Sequence, residues 1–185
     1  MRDTLKALLP DITDKQLMQF ETYYEMLVDW NTRVNLTAIT ARDDVIKKHF
    51  YDSLLALPLL EQDARCIDVG TGAGFPGVPL LIARPDLQMT LLDSLNKRLT
   101  FLEALIEKLG LSATLVHARA EDAGQDAKYR GRFDAAFSRA VSQLPALVEL
   151  TVPFLKLGGS ASPIKATPRR NCALRKTPQS SLNAS

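Results

Sequence analysis

With 185 residues, 46% of them hydrophobic, and a formal charge of +2, the chain has the length and the apolar content of one compact domain. No apolar run approaches about 18 residues, so no membrane span is expected. The opening MRDTLKALLPDITDKQ lacks a signal peptide's apolar core, and Cys66 and Cys172 are too far apart to suggest a metal or disulfide framework. These features together imply a reduced, cytoplasmic protein without a metal. Lys165, Arg169, Arg170, Arg175 and Lys176 all fall in residues 160–185, where there is no acid. The rest is slightly acidic, so any RNA contact must use local patches.

In chain order, Thr13 followed by Gln16 reads as a capping box, and Leu17, Phe20, Tyr24, Leu27 and Val28 continue at helical spacing to about Trp30. After the polar NTRVNLTAI, Asp43 is placed to cap a second helix. Val45, Ile46, His49, Phe50 and Leu54 form its apolar side and Pro58 closes it. Residues 1–60 thus read as a helical extension.

The rhythm then changes. RCIDVG reads as a buried strand, GVPLLIARP as a helix stopped by Pro85, and QMTLLDS as a second strand. NKRLTFLEALIEKLGL is an amphipathic helix ending at Gly110. ATLVHARA and RFDAAFSRA are two more strands, and QLPALVELTVPFLKLGG is a helix or broken helix. Strands alternating with helices over residues 61–159 predict a parallel α/β sheet with right-handed crossovers.

Gly70, Gly72 and Gly74 follow the first strand, where an open α/β sheet binds its ligand. The plain reading is a tight turn. A dinucleotide reading fits G-x-G-x-x-G at Gly72, Gly74 and Gly77 with Asp93 about 20 residues on. Against it, Pro76 has no amide for a pyrophosphate, and Asp68 would repel one. S-adenosylmethionine carries an ammonium, a sulfonium and no phosphate, and suits Asp68 better. The spacing Asp68-x-Gly70-x-Gly72-x-Gly74 resembles the first motif of class I methyltransferases, in which Asp93 accepts the ribose hydroxyls.

WNTRVNLTAI, KKHFYDS, IDVGTGAGFPGVPL, LLDSLNKRLTFL, ARAED and FDAAFSRA occur in this order. Over residues 15–159 the set closely resembles the bacterial small-subunit ribosomal RNA guanine-N7 methyltransferases, also called glucose-inhibited division protein B. The resemblance implies a class I S-adenosylmethionine-dependent, Rossmann-like sheet. It implies methyl transfer to N7 of a guanine in 16S ribosomal RNA or the 30S subunit. It carries over Gly70 and Phe75 as glycine-loop contacts, Asp93 as the ribose acid, Ala120 and Glu121 near the adenine, and Arg139 at the end of the fourth strand. The resemblance also implies that Asn35 and His49, in its N-terminal motifs, face the RNA or brace the site. Each has a structural alternative: Asp93 as a helix cap, Glu121 as a solvated turn acid, Arg139 as an ion-pair partner of Asp68 or Asp134, and His49 as a hydrogen-bonded core histidine. Cys66, inside a strand, reads as a small buried hydrophobe.

After Gly159 the text departs from the family, which continues with a fifth strand, an AYKG segment, an acid-rich helix and two more strands. Residues 160–185 read as a basic tail or as the product of a reading-frame slip. Codons for Pro163 to Ala166 and Arg169 to Thr177 exist whose shifted frame reads Tyr-Lys-Gly and then Glu-Glu-Glu-Leu-Arg-Val-Ala-Glu-Asn. Lys165 falls where the family's lysine lies. On this reading the C-terminal strands are missing, the fourth strand is an unpaired edge, and the chain is poorly stable and weakly active. Two other functions stay open: a catalytically impaired cofactor- or RNA-binding remnant, and a dinucleotide oxidoreductase.

Overall fold

The computed structural model describes residues 1–139, 144–164 and 174–175. Lys165, Cys172 and most of residues 163–177, where the shifted frame would run, lie outside the described residues.

A short helix α1 (Arg2–Leu8) precedes α2 (Asp14–Asn31), whose capping box is formed as expected between Thr13 and Gln16. The buried face of α2 runs through Tyr23 and not Tyr24, because Phe20, Tyr23 and Leu27 share one side. Asp43 is not a cap. It sits in the first turn of α3 (Arg42–Val45), whose N-terminus begins at Ala41 without a side-chain bond. The helix then widens into a π-helical turn, Ile46–Tyr51, before α4 (Asp52–Leu54). Wide turns of this kind favour functional positions, and this one holds His49.

The α/β part follows as β1 (Arg65–Val69), α5 (Gly77–Ala83), β2 (Gln88–Asp93), α6 (Asn96–Leu109), β3 (Thr114–His117), α7 (Ala120–Ala123), β4 (Phe133–Arg139), α8 (Leu144–Thr151), β5 (Leu155–Ile164) and β6 (Leu174–Arg175). Among the described residues the sheet order is β3-β2-β1-β4-β5-β6, with only β6 antiparallel. The chain reverses its winding between β1 and β4, and the carboxyl ends of those strands flank the crevice where such sheets take ligands.

Period-two alternation assigns the two faces. Cys66, Met89, Leu91 and Phe137 point into a large core shared with α1, α2, α5 and α6. Ile67, Val69, Leu92 and Ala136 point into a smaller core closed by Ala123, Phe154 and Leu155. The N-terminal helices are joined to the sheet domain by polar contacts as well. Gln16 Nε2 donates to the carbonyls of Ile82 and Ala83, and Gln19 Nε2 to that of Leu109. These are terminal carbonyls of α5 and α6, which have no partner within their own helices.

Two expectations need correction. The third strand stops at His117, and ARAED turns into α7. More importantly, β4 is not an edge. β5 pairs along it in parallel, from Phe133 opposite Leu155 to Arg139 opposite Ile164, with an irregularity between Phe133 and Ala135. That irregularity hides the strand in the sequence, because the extra residues interrupt the alternation. Gly159 is needed there, since a Cβ would stand 3.0 Å from the backbone oxygens of Phe133, Asp134 and Lys156. The missing-strand ground for expecting instability is therefore removed at β4.

Candidate active site

The chain leaves β1 at Gly70 with φ of +70°, a conformation that side chains disfavour. Nothing lies within 4 Å of where a Gly70 Cβ would stand, so the turn faces open space. Most of the amides of this loop are already engaged. Gly70 and Thr71 both donate to the Leu92 carbonyl, at 2.9 and 3.0 Å, and Gly74 and Phe75 to that of Thr71. Gly72 donates to Asp93 Oδ2 at 2.8 Å and Gly77 to Asp68 Oδ2 at 2.9 Å. Pro76 has no amide to give. A pyrophosphate needs several free donors at such a turn, so the loop disfavours the dinucleotide reading.

Asp68 is fully buried. Its Oδ2 accepts from Thr71 Oγ1 at 2.7 Å and from Gly77, while Oδ1 is buried without a hydrogen-bond partner. Burial pushes the carboxyl up to about 6, against the opposing pull of those two bonds and of Arg139. An unpartnered carboxylate oxygen beside a bare turn suits a cationic donor.

Two clefts meet at this turn and share Gly70 and Arg139. The first, about 240 Å³, runs over the ends of β1, β2 and β3 and takes Leu92, Ser94, Ala120 and Glu121 into its wall. The second, about 140 Å³, is lined by Leu36, Thr37, Gly72, Phe75 and Arg98. Asp93, at the end of β2 and 1% exposed, lines neither cleft and braces the turn through Gly72. Its carboxylate accepts from the amides of Gly72 and Leu95 and pairs with Arg98 at 3.4 Å.

Arg139 ends β4 at the seam. Its guanidinium lies 4.7 Å from the centroid of the Phe75 ring. Phe75 also stacks on Tyr23 at 5.2 Å and packs against His49 at 4.5 Å. The Tyr23 hydroxyl donates to the Ala73 carbonyl at 2.6 Å, which anchors the loop from α2.

The model of the family described as rRNA small subunit methyltransferase G matches residues 16–183. Ribosomal RNA small subunit methyltransferase G of Lactococcus lactis subsp. lactis is 51% identical over 159 residues, covering 84% of this chain and 67% of the relative. The chain belongs to the rRNA small subunit methyltransferase G family. The Streptococcus thermophilus relative of the same name is 50% identical over 168 residues, covering 88% of this chain and 70% of its own length. At the level of fold alone, a solved Methanococcus maripaludis structure described as an S-adenosyl-L-methionine-dependent methyltransferase aligns with a TM-score of 0.54 at 17% identity, over 77% of this chain and 62% of that one. The cofactor that the methyltransferase G family and this fold imply is S-adenosylmethionine. The open space at Gly70 and the unpartnered Asp68 Oδ1 fit it.

Among the residues singled out from sequence, Gly70, Ala120, Glu121 and Arg139 meet in the first cleft and Gly70, Gly72, Phe75 and Arg139 in the second. Asp68 lies beneath the loop. Asn35 is exposed, and its neighbours Leu36 and Thr37 line the second cleft in its place. His49 is buried against Phe75. Cys66 is buried, and burial pushes its thiol up to about 12, as befits an inert side chain. Thr37 and Arg98 also line the second cleft, and Tyr23 anchors its loop, although none of the three was singled out in the sequence. Only Tyr23 carried a local signal, its spacing between Phe20 and Leu27. Among the described residues no cluster of His, Cys, Asp and Glu could hold a metal, and no helix is long and apolar enough to cross a membrane.

Proposed function

We propose that this chain transfers a methyl group from S-adenosylmethionine to N7 of a guanine in 16S ribosomal RNA, free or within the 30S subunit, in the cytoplasm. The observation that carries the reading is Asp68: a buried carboxylate with one unpartnered oxygen, beneath a glycine turn most of whose amides are engaged elsewhere. That pairing favours an ammonium-bearing ligand over a phosphate-bearing one. S-adenosylmethionine, when bound, supplies an electrophilic methyl group. Guanine N7 has an in-plane lone pair and no proton, so its attack asks the protein for no general base. The residues then act by placement. Asp68, Gly70, Gly72 and Asp93 form the turn and its anchor, Ala120 and Glu121 the far wall of the first cleft. Phe75 and Arg139 form the seam.

The test is titration calorimetry with S-adenosylhomocysteine and with NAD, followed by transfer of labelled methyl to 30S subunits and 16S RNA with nucleoside analysis. The expected result is S-adenosylhomocysteine binding, no NAD binding, and label in 7-methylguanosine. Saturable NAD binding without S-adenosylhomocysteine binding overturns the reading. A second reading, a binding protein that has lost transfer, rests on the basic, acid-free composition of residues 160–185. It requires S-adenosylhomocysteine binding with no labelled RNA.

A further inference from the structure

Arg139 is held from the N-terminal side of the molecule. Its Nη2 donates to His49 Nδ1 at 2.6 Å and its Nη1 to the Lys48 carbonyl at 3.3 Å. Nδ1 also lies 3.1 Å from the Lys48 carbonyl, but its shorter contact is to a guanidinium, which offers only donors, and this makes Nδ1 the acceptor and the imidazole neutral, with its proton on Nε2. Nε2 then donates to Thr37 Oγ1 at 2.9 Å, and the Thr37 hydroxyl oxygen accepts the Ile39 amide at 3.1 Å. Burial and the charge of Arg139 both favour the neutral ring, and His49 is only 3% exposed.

Two carboxylates compete for the same guanidinium. Asp52 Oδ2 and Asp68 Oδ1 are both buried without a hydrogen-bond partner, and both carboxyls feel the charge of Arg139. Released from His49, the guanidinium would be drawn toward one of them and away from the seam. Neutral imidazole positions the cation without neutralising it, which a carboxylate in its place could not do.

We propose that Thr37 and His49 are positioning residues that fix Arg139 at the junction of the two clefts, so that its full positive charge faces the cofactor and the incoming nucleotide. This rests on the methyltransferase reading above.

The test uses two isosteres that separate the two ring nitrogens. His49→Asn puts an amide oxygen near the place of Nδ1 and keeps an acceptor for Arg139. His49→Gln reaches toward the place of Nε2 and loses it. S-adenosylhomocysteine affinity by calorimetry, KM and kcat for methyl transfer, and thermal midpoints are measured on the full chain. His49→Asn is expected to stay within about threefold of the parent affinity and His49→Gln to lose about tenfold, the range of one hydrogen bond to a charged group. In an Arg139→Met background His49→Gln is expected to add nothing. Thr37→Val is expected to weaken binding and Thr37→Ser to restore it, which keeps the test open should a His49 variant fail to fold. Equal losses in His49→Asn and His49→Gln, or an unchanged His49→Gln effect without Arg139, overturn the relay. If the parent binds no S-adenosylhomocysteine, the methyltransferase reading falls and the relay with it.

Discussion

The two clefts that meet at Gly70 are built from different materials. The first is walled by the turns that end consecutive strands, with Gly70, Ala118 and Ala120 supplying little more than backbone. The second adds side chains brought from distant parts of the chain, Thr37 before the π-helical turn and Arg98 on α6, with Arg139 on β4 common to both clefts. Backbone turns of this kind depend on sterics and φ. Side-chain walls depend on hydrogen bonds, protonation and charge. A ligand gripped by both is therefore sensitive to two separate kinds of damage.

The largest damage should come from breaking the turn. A Cβ on Gly77 would stand 2.4 Å from Leu91 Cδ2 and 3.0 Å from Asp68 Oδ2. Gly77→Ala is expected to lower stability by about 3 kcal/mol, the upper range of overpacking, and to lower the thermal midpoint with it. Asp93→Ala comes next, because the amides of Gly72 and Leu95 both lose their acceptor. Calorimetry should show S-adenosylhomocysteine affinity down by about tenfold or more, at about 1.5–3 kcal/mol per bond to a charged group. Unchanged affinity in a folded Asp93→Ala protein would remove this residue from the site.

Protonation gives a smaller effect that distinguishes the two materials. The Asp68 carboxyl, raised by burial to about 6, faces Thr71, Gly77, Arg139 and Asp93. The ligand's ammonium favours the charged form of this carboxyl, so below pH 6 binding must displace a proton. Affinity for S-adenosylhomocysteine is expected to rise with pH through about 6 and then level, with a slope below 6 of at most about tenfold per pH unit. Asp68→Asn should flatten the profile. Asp52→Asn should leave it, although Asp52 is also raised to about 6. The smallest effect is that of Tyr23→Phe, which removes the bond to Ala73 at one margin of the second cleft. It should lower stability by about 1 kcal/mol, read by denaturant unfolding.

What could be read from sequence follows the same division. The capping box at Thr13, the αL stop of α6 at Gly110, the strand-turn-helix at Gly70 and the acid after β2 are local signals, each contained within a few residues. The first cleft was legible for that reason. Thr37, His49 and Arg139 are brought together across about ninety positions, and nothing in their neighbourhoods announces the contact. β5 escaped because the extra residues at Leu157 to Gly159 disrupt the alternation by which strands are recognised. α7 escaped because ARAED looks like a continuation of the strand before it.

The two glutamines of α2 bear on how the molecule is made. Gln16 closes the end of α5, and Gln19 closes the end of α6 at Leu109. A helix that leaves the ribosome early therefore cannot finish its own contacts until some ninety further residues have been synthesised. Local helices can form at once, whereas contacts of such separation wait on loop closure. Until Leu109 emerges, the apolar stripe through Leu17, Phe20, Tyr23 and Leu27 has no completed sheet domain to cover it. The nascent chain is thus most exposed to misassociation until Leu109 emerges, after the residues of the glycine turn but before Arg139 completes either cleft.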